Sequence, residues 1–395
     1  MFHQNKDNSA EFNSTNSGEI IGHNDGILSE ILLPLTTKQL TGFKLVAKQW
    51  RSLISDHHFL SRYTLRHPPS LSGLFLVPQH QNENDENLIE YIPLQKTHSL
   101  ATAIHFLNFR SIKIIQSCNG LLLTCHGQKL YVFNPTTGKS QLIPNCPNQV
   151  LNKNLEIPFS PYSSTYYSLA FDPKKSIHYM IICIEKSEDK CRIATYSSNV
   201  KLWRLSKTRE ISAPRDVDFS KAIYCNGVIH WTRRTPRGVY FDIEKELMNQ
   251  MPEIPRKEQY SCEYFGQSKG RLYSVFTMEG LHYYELFEME RDYSRWVFKC
   301  RIDLDELAFK FPKMGRGISC QNALFKYPCH VLSVVHSRNG KVPKVIMSIP
   351  GEIIAYNCKK KTSWKICDSR LRSKDRRLWY NVYCVYDNFD SLSPV

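Results

Sequence analysis

One stretch of the chain has the form of a catalytic motif. Gly266-Gln267-Ser268-Lys269-Gly270 fits G-x-S-x-G. In that pattern a serine on a sharp strand-to-helix turn becomes a nucleophile, because only there does its hydroxyl stand clear of the sheet. Here Arg271-Leu272-Tyr273-Ser274-Val275-Phe276 follows, and its aromatic and β-branched content predicts a strand. The motif therefore reads as a hairpin turn. The 14 histidines include no H-E-x-x-H, and the 13 cysteines, scattered from Cys118 to Cys384, contain no C-x-x-C pair. An odd, dispersed set of thiols argues against a zinc ribbon and a disulfide framework alike. It reads as reduced, mostly buried cysteine. His230, beside Trp231 on a predicted strand, reads as a packed core histidine, and His57-His58 as a solvated helix end. With no Walker or Rossmann glycine loop, the sequence offers no catalytic residue, no metal ligand and no cofactor-binding residue.

Regions of different character must hold these residues. The chain has 395 residues, 42% apolar and 12% aromatic, more than one small core needs. No run approaches the ~18 apolar residues of a membrane helix. Residues 1–24 are polar and Asn/Ser-rich, with no apolar signal core, and read as a disordered tail on a protein kept inside the cell, in cytoplasm or nucleus. The net charge of +15 raises nucleic acid as a partner. The basic residues are spread along the chain, however. The densest run, Lys359-Lys360-Lys361 with Arg370, Arg372, Lys374, Arg376 and Arg377, reads as a solvated turn and edge. A basic β-domain binding nucleic acid or protein remains the alternative.

Residues 25–66 predict a helical module. Ile27, Leu28, Ile31, Leu32 and Leu35 form one apolar stripe at helical spacing, and Leu40, Phe43, Val46, Trp50, Leu53 and Ile54 a second. Lys44, Lys48 and Arg51, at i, i+4 and i+7, make another face basic. Thr36 and Thr37 supply hydroxyls to cap the second helix, and Pro68 and Pro69 stop the module. Helices this short cannot bury both stripes alone, so an apolar face is left over for a neighbour or a partner. From residue 72 to about 390 the period changes. Short β-branched and aromatic runs (Gly73–Val77, Ile112–Gln116, Gly120–Cys125, Leu130–Phe133, Tyr167–Phe171, Tyr179–Ile184) alternate with turn residues and predict antiparallel β-structure. Two units begin alike, Ser117-Cys118-Asn119-Gly120 and Tyr224-Cys225-Asn226-Gly227. Each runs to a turn and closes on a proline, Pro144 and Pro252. Trp203, Trp231, Trp296 and Trp364 recur at similar places. A period of roughly 45–65 residues suggests propeller blades with insertions at 145–165 and 304–327. The fold class is thus α+β by segment, a small helical module followed by an all-β domain that reads as a β-propeller.

The helical stretch resembles an F-box. Phe43-Lys44-Leu45-Val46-Ala47-Lys48-Gln49-Trp50-Arg51-Ser52-Leu53-Ile54-Ser55-Asp56, with the trailing Phe59, is similar almost throughout to the plant form. The first half departs. His23-Asn24-Asp25-Gly26 stands where the family has Leu-Pro-x-Asp, and Leu35-Thr36 where it has Leu-Pro. Downstream, Cys118-Asn119-Gly120-Leu121, Asn134-Pro135-Thr136-Thr137-Gly138-Lys139, Leu169-Ala170-Phe171-Asp172-Pro173 and Asn226-Gly227-Val228-Ile229-His230-Trp231 resemble, in order, the plant F-box-associated domain. The resemblance covers residues 25 to about 260. It implies a non-catalytic substrate receptor of a cullin-based ubiquitin ligase, with a Skp-family adaptor, through it a cullin, and a target protein as partners. Adaptor contact is then expected from Ile27, Leu28, Ile31, Leu32, Leu35, Leu40, Phe43, Lys44, Val46, Lys48 and Trp50. Leu28, Ile31, Leu32 and Leu35 would face the adaptor, while part of the second stripe packs inward.

Overall fold

The computed structural model describes residues 24–78, 89–94, 112–146, 164–207, 211–233, 238–255, 260–278, 280–315, 327–336, 343–368 and 383–395. The expected tail up to residue 23, most of the first insertion and the basic residues from 370 to 377 lie outside them. The chain divides between Pro68 and Pro69 into two compact units.

Among the described residues, the first unit has four short helices: α1 (Asp25–Leu32), α2 (Thr37–Phe43), α3 (Lys48–Ser55) and α4 (His57–Arg66). Polar side chains set their starts, since the first turn of a helix leaves N–H groups without partners. Asn24 Oδ1 accepts from Gly26 and Ile27 N–H, and Asp56 Oδ1 from His58 and Phe59 N–H. Thr36 and Gln39 form a reciprocal capping box at α2. Leu28, Leu32, Leu33, Leu40, Ile54, Phe59, Leu60 and Tyr63 are buried. Tyr63 stacks on Phe59 and His67 and donates its hydroxyl to Leu35 O at 3.1 Å.

The second unit is a six-bladed antiparallel propeller. Five blades are consecutive four-stranded meanders. They are β3–β6 (Lys113–Cys118, Leu121–His126, Lys129–Asn134, Lys139–Ile143), β7–β10 (Ser164–Ala170, Met180–Ser187, Lys190–Ser197, Leu202–Leu205), β12–β15 (Val217–Cys225, Val228–Arg233, Val239–Asp242, Leu247–Gln250), β16–β19 (Tyr260–Ser268, Arg271–Met278, Tyr283–Met289, Trp296–Asp303) and β20–β23 (His330–His336, Pro343–Ile349, Glu352–Asn357, Thr362–Asp368). A short β11 (Ile211–Ser212) pairs with the start of β9. The sixth blade joins both ends of the domain: β1 (Leu71–Pro78) pairs with β2 (Glu90–Pro93) on one side and β24 (Tyr383–Phe389) on the other. Asn388 Nδ2 donates to Ser72 Oγ at 2.7 Å, and Ser72 Oγ to Asn388 O at 3.0 Å. This closure leaves no blade at the end of the ring with a bare face. The first strand of each meander, together with β24, packs against its neighbours to form the inner ring.

The Asn-Gly phrases do what their residues permit. Asn119 and Gly120 take φ of 46° and 97°, Asn226 and Gly227 φ of 54° and 89°, the left-handed pair that a two-residue hairpin with strand twist requires. Their side chains also act between blades. Asn119 Nδ2 donates to Phe171 O at 2.7 Å and Asn226 Nδ2 to Gly270 O at 2.9 Å, each reaching the next blade. Gln116 pairs in both directions with the backbone of Leu169, at 3.0 and 2.7 Å. Apolar clusters fill the spaces between blades, the largest running through Leu121, Val132, Ile181, Phe219, Trp231 and Phe241.

Candidate functional site

The helical unit keeps an apolar surface after its own core is complete. On α1 the stripe read from the sequence divides in two. Positions 27 and 31 are one i, i+4 pair and positions 28 and 32 another, offset by one residue and hence by about 100° around the helix. Only one pair can point inward. Leu28 and Leu32 are 2% and 1% exposed, whereas Ile27 and Ile31 are 44% and 48% exposed. Leu28 and Leu32, together with Leu40 at 0%, are core residues of the unit itself, which corrects their expected place on the partner-facing side. Leu35, Phe43, Lys44 and Trp50 are half-buried, with Phe43 and Trp50 edge-to-face at 5.3 Å. Val46 and Lys48 are exposed.

The basic face does not run along one helix. Gly42, a weak helix former in the last turn of α2, precedes a turn, and Ala47 takes extended geometry (φ −150°, ψ 154°) before α3 begins. Lys44 therefore caps the end of α2 while Lys48 and Arg51 lie on α3. The break has a second consequence the stripe did not reveal: Leu45 stands 88% exposed in the turn. Its signal in the sequence was Gly42, which divides a run otherwise periodic enough to pass for one helix. Gln49 Nε2 donates to Asp25 Oδ1 at 2.8 Å, tying the start of α3 to the start of α1. Arg62 on α4 pairs with Glu30 on α1 and holds the Glu30 carboxyl below the usual carboxylate range.

The residues that could do chemistry are otherwise engaged. Ser268 ends β16, Lys269 and Gly270 form a turn at φ of 51° and 70°, and β17 follows directly. Ser268 Oγ accepts from His336 N–H at 3.2 Å. His230 is fully buried between Ile223 O (Nδ1, 3.1 Å) and the Tyr293 hydroxyl (Nε2, 2.7 Å), and burial pushes its pKa down to about 4. Every described cysteine is a free thiol. No group of three or more His, Cys, Asp or Glu among the described residues is placed to hold a metal, and no described helix is long and apolar enough to cross a membrane.

The recurring tryptophans separate by register. Trp203 donates Nε1 to Pro144 O at 2.8 Å and Trp296 to Pro252 O at 3.1 Å, each onto the closing proline of the preceding blade. Trp203 lies opposite Tyr196 and Trp296 opposite Met289, seven residues back in both cases. Trp364 lies eight residues after Tyr356 and pairs with Ala355, while Ser363 takes the place opposite Tyr356. One extra residue turns a strand side chain to the other face. Trp364 is accordingly 39% exposed, with Lys344 Nζ 5.0 Å from its ring centroid.

Architecture and surface together define a six-bladed propeller protein with an amino-terminal helical unit. Residues 83–392 match the F-box associated beta propeller domain, and the chain belongs to that family. It is similar to F-box protein At5g07610 of Arabidopsis thaliana, with 27% identity over 391 residues that span 92% of this chain and 89% of the relative. F-box/kelch-repeat protein At3g23880 of the same plant is 26% identical over 251 residues, 57% of this chain and 64% of the relative. Among solved structures, an oligogalacturonate lyase in complex with manganese aligns over 66% of each chain with a TM-score of 0.41 and 9% identity, too low to carry an argument. Family membership and F-box-named relatives support a substrate-adaptor role in general.

Proposed function

We propose that residues 25–66 are an F-box that docks on a Skp-family adaptor, and that the propeller holds a target protein for a cullin-based ubiquitin ligase. The observation that carries this reading is the pair Ile27 and Ile31, with Leu45 and Val46, left open on a unit whose core is already complete. A single aliphatic side chain in solvent is ordinary. Five on a unit of this size, Leu65 on α4 being the fifth, amount to unpartnered apolar surface of the kind an adaptor covers by burying apolar side chains. Leu35, Phe43, Lys44, Lys48 and Trp50 lie at or near the rim of that surface in this reading. The chain contributes no covalent step. It raises the effective concentration of the target beside the charged enzyme, inside the cell, where thiols stay reduced.

The test is co-expression with a Skp-family adaptor. Ile31→Asp with Val46→Asp abolishes co-purification, while Leu202→Asp, at a 68% exposed propeller site, leaves it intact. Retention of the adaptor by the double variant, with its helical content unchanged, contradicts the reading.

A further inference from the structure

The axis of the propeller is not filled. Five inner strands, β3, β12, β16, β20 and β24, line a cavity of about 70 Å³, room for several waters or one small polar head group. Leu332, Val385 and Phe389 give it apolar walls, while Gln267, Tyr264 and Asp387 give it polar ones. Asp387 Oδ1 accepts the Ser333 hydroxyl at 3.1 Å, and no other partner of this carboxylate is found among the described residues. Surrounding strands enclose Asp387, yet the cavity keeps it within reach of solvent.

The titratable and charged groups on the neighbouring elements are Lys113 and Cys118 on β3, Asp218, Lys221, Tyr224 and Cys225 on β12, Cys262, Glu263 and Tyr264 on β16, His330 and His336 on β20, and Cys384, Tyr386 and Asp390 on or just after β24; β1 carries none. The Tyr264 phenol is pushed up mainly by burial, and the Asp387 charge adds to that. The Asp387 carboxyl itself is set by burial, partly offset by the Ser333 hydroxyl, and no cation contributes. A carboxylate bonded to one hydroxyl, in a small cavity lined also by an amide and by apolar walls, matches the needs of a compact cation. An ammonium or guanidinium group brings positive charge and several N–H donors into a small volume.

We infer that the axial cavity binds a small organic cation, a primary ammonium or guanidinium group, with Asp387 as its counter-ion. The group belongs either to a free amine or to the tip of a lysine or arginine side chain on a bound peptide. The inference is independent of adaptor docking. Burial holds the Asp387 carboxyl near 7, so a bound cation must displace a proton. Binding at pH 6 then releases about 0.9 proton, and at pH 8 about 0.1.

The experiment is calorimetric titration of the full chain with butylammonium, with blocked arginine amide, and with blocked pentapeptides carrying one central lysine or arginine. Affinity rises about tenfold per pH unit from 5 to 7 and flattens above. Asp387→Asn lowers it at least tenfold with the circular dichroism spectrum unchanged. Ser333→Ala moves the midpoint of the pH profile upward, because that hydroxyl favours the charged form. Binding by the peptides alone assigns the group to a side chain, and equal binding by the small amines assigns it to a free amine. No saturable binding by any probe, a flat pH profile, or undiminished binding by Asp387→Asn overturns the inference.

Discussion

Replacing Asp387 by asparagine should stabilise the fold at alkaline pH and leave it unchanged in acid. Burial raises this carboxyl from 3.8 to about 7 in the folded state. Between those values the folded chain holds a proton that the unfolded chain has released. Stability therefore falls as pH rises through that window and is level above it. A gap of about 3 units at 1.36 kcal/mol each sets an upper bound of about 4 kcal/mol, and solvent in the axial cavity reduces it to about 2. Asparagine is isosteric, never ionises, and still accepts the Ser333 hydroxyl. The assay is thermal melting of the wild type and Asp387→Asn at pH 4.5, 6 and 8. At pH 4.5, where the unfolded carboxyl is already mostly ionised, the variant should melt only about 1 °C higher, and at pH 8 about 3 °C higher. Glu263, also raised to about 7 by burial, moves both proteins alike and drops out of the difference. A variant less stable than the wild type at pH 8, or a difference that does not change with pH, refutes the reasoning. A residue that lowers stability where it stands, and yet faces a cavity, is one whose charge is kept for something other than folding.

Further expectations concern other parts of the molecule. His230, held down at about 4 against 6.5 for a free histidine, stays neutral at physiological pH. It contributes about 3 kcal/mol that is lost as pH falls from 6.5 to 4; proton NMR should show one imidazole that does not titrate between pH 5 and 8. Leu40→Ala, at 0% exposure, should cost the helical unit about 2–5 kcal/mol, whereas Ile31→Ala should cost under about 1 while weakening adaptor capture. Asn226→Gly should cost about 1 kcal/mol through the lost bond to Gly270 O. Asn226→Ala should cost about 2, since it also forces alanine to φ of 54°; chemical denaturation of the two variants separates these contributions. Trp203→Phe should cost about 1–2 kcal/mol, and Trp364→Phe nearly nothing, in the same melts.

What was legible in the sequence depended on how local its cause is. Asn119-Gly120 and Asn226-Gly227 announce hairpins because positive φ is a property of the residues themselves, and both turns form as read. The bonds their amides throw to Phe171 and Gly270 depend on which blade stands next, and no local pattern encodes that. The closing blade was the least visible for the same reason: β1 and β24 lie at opposite ends of the domain, so no repeat unit contains both. Where a pattern was periodic, one residue decided the outcome. The pairs 27/31 and 28/32 look equivalent on α1 until packing selects the second for the core. Trp364 looks like Trp203 and Trp296 until its eight-residue spacing turns it outward. Asp387 had no signal at all, being one polar residue in a short mixed strand. Its environment arises only when five inner strands meet around an axis. Structural residues in this protein thus announce themselves in sequence through short-range stereochemistry. Ile27 and Ile31 on the helical unit and Asp387 in the cavity are residues that packing did not use, and they emerge only once the packing is known.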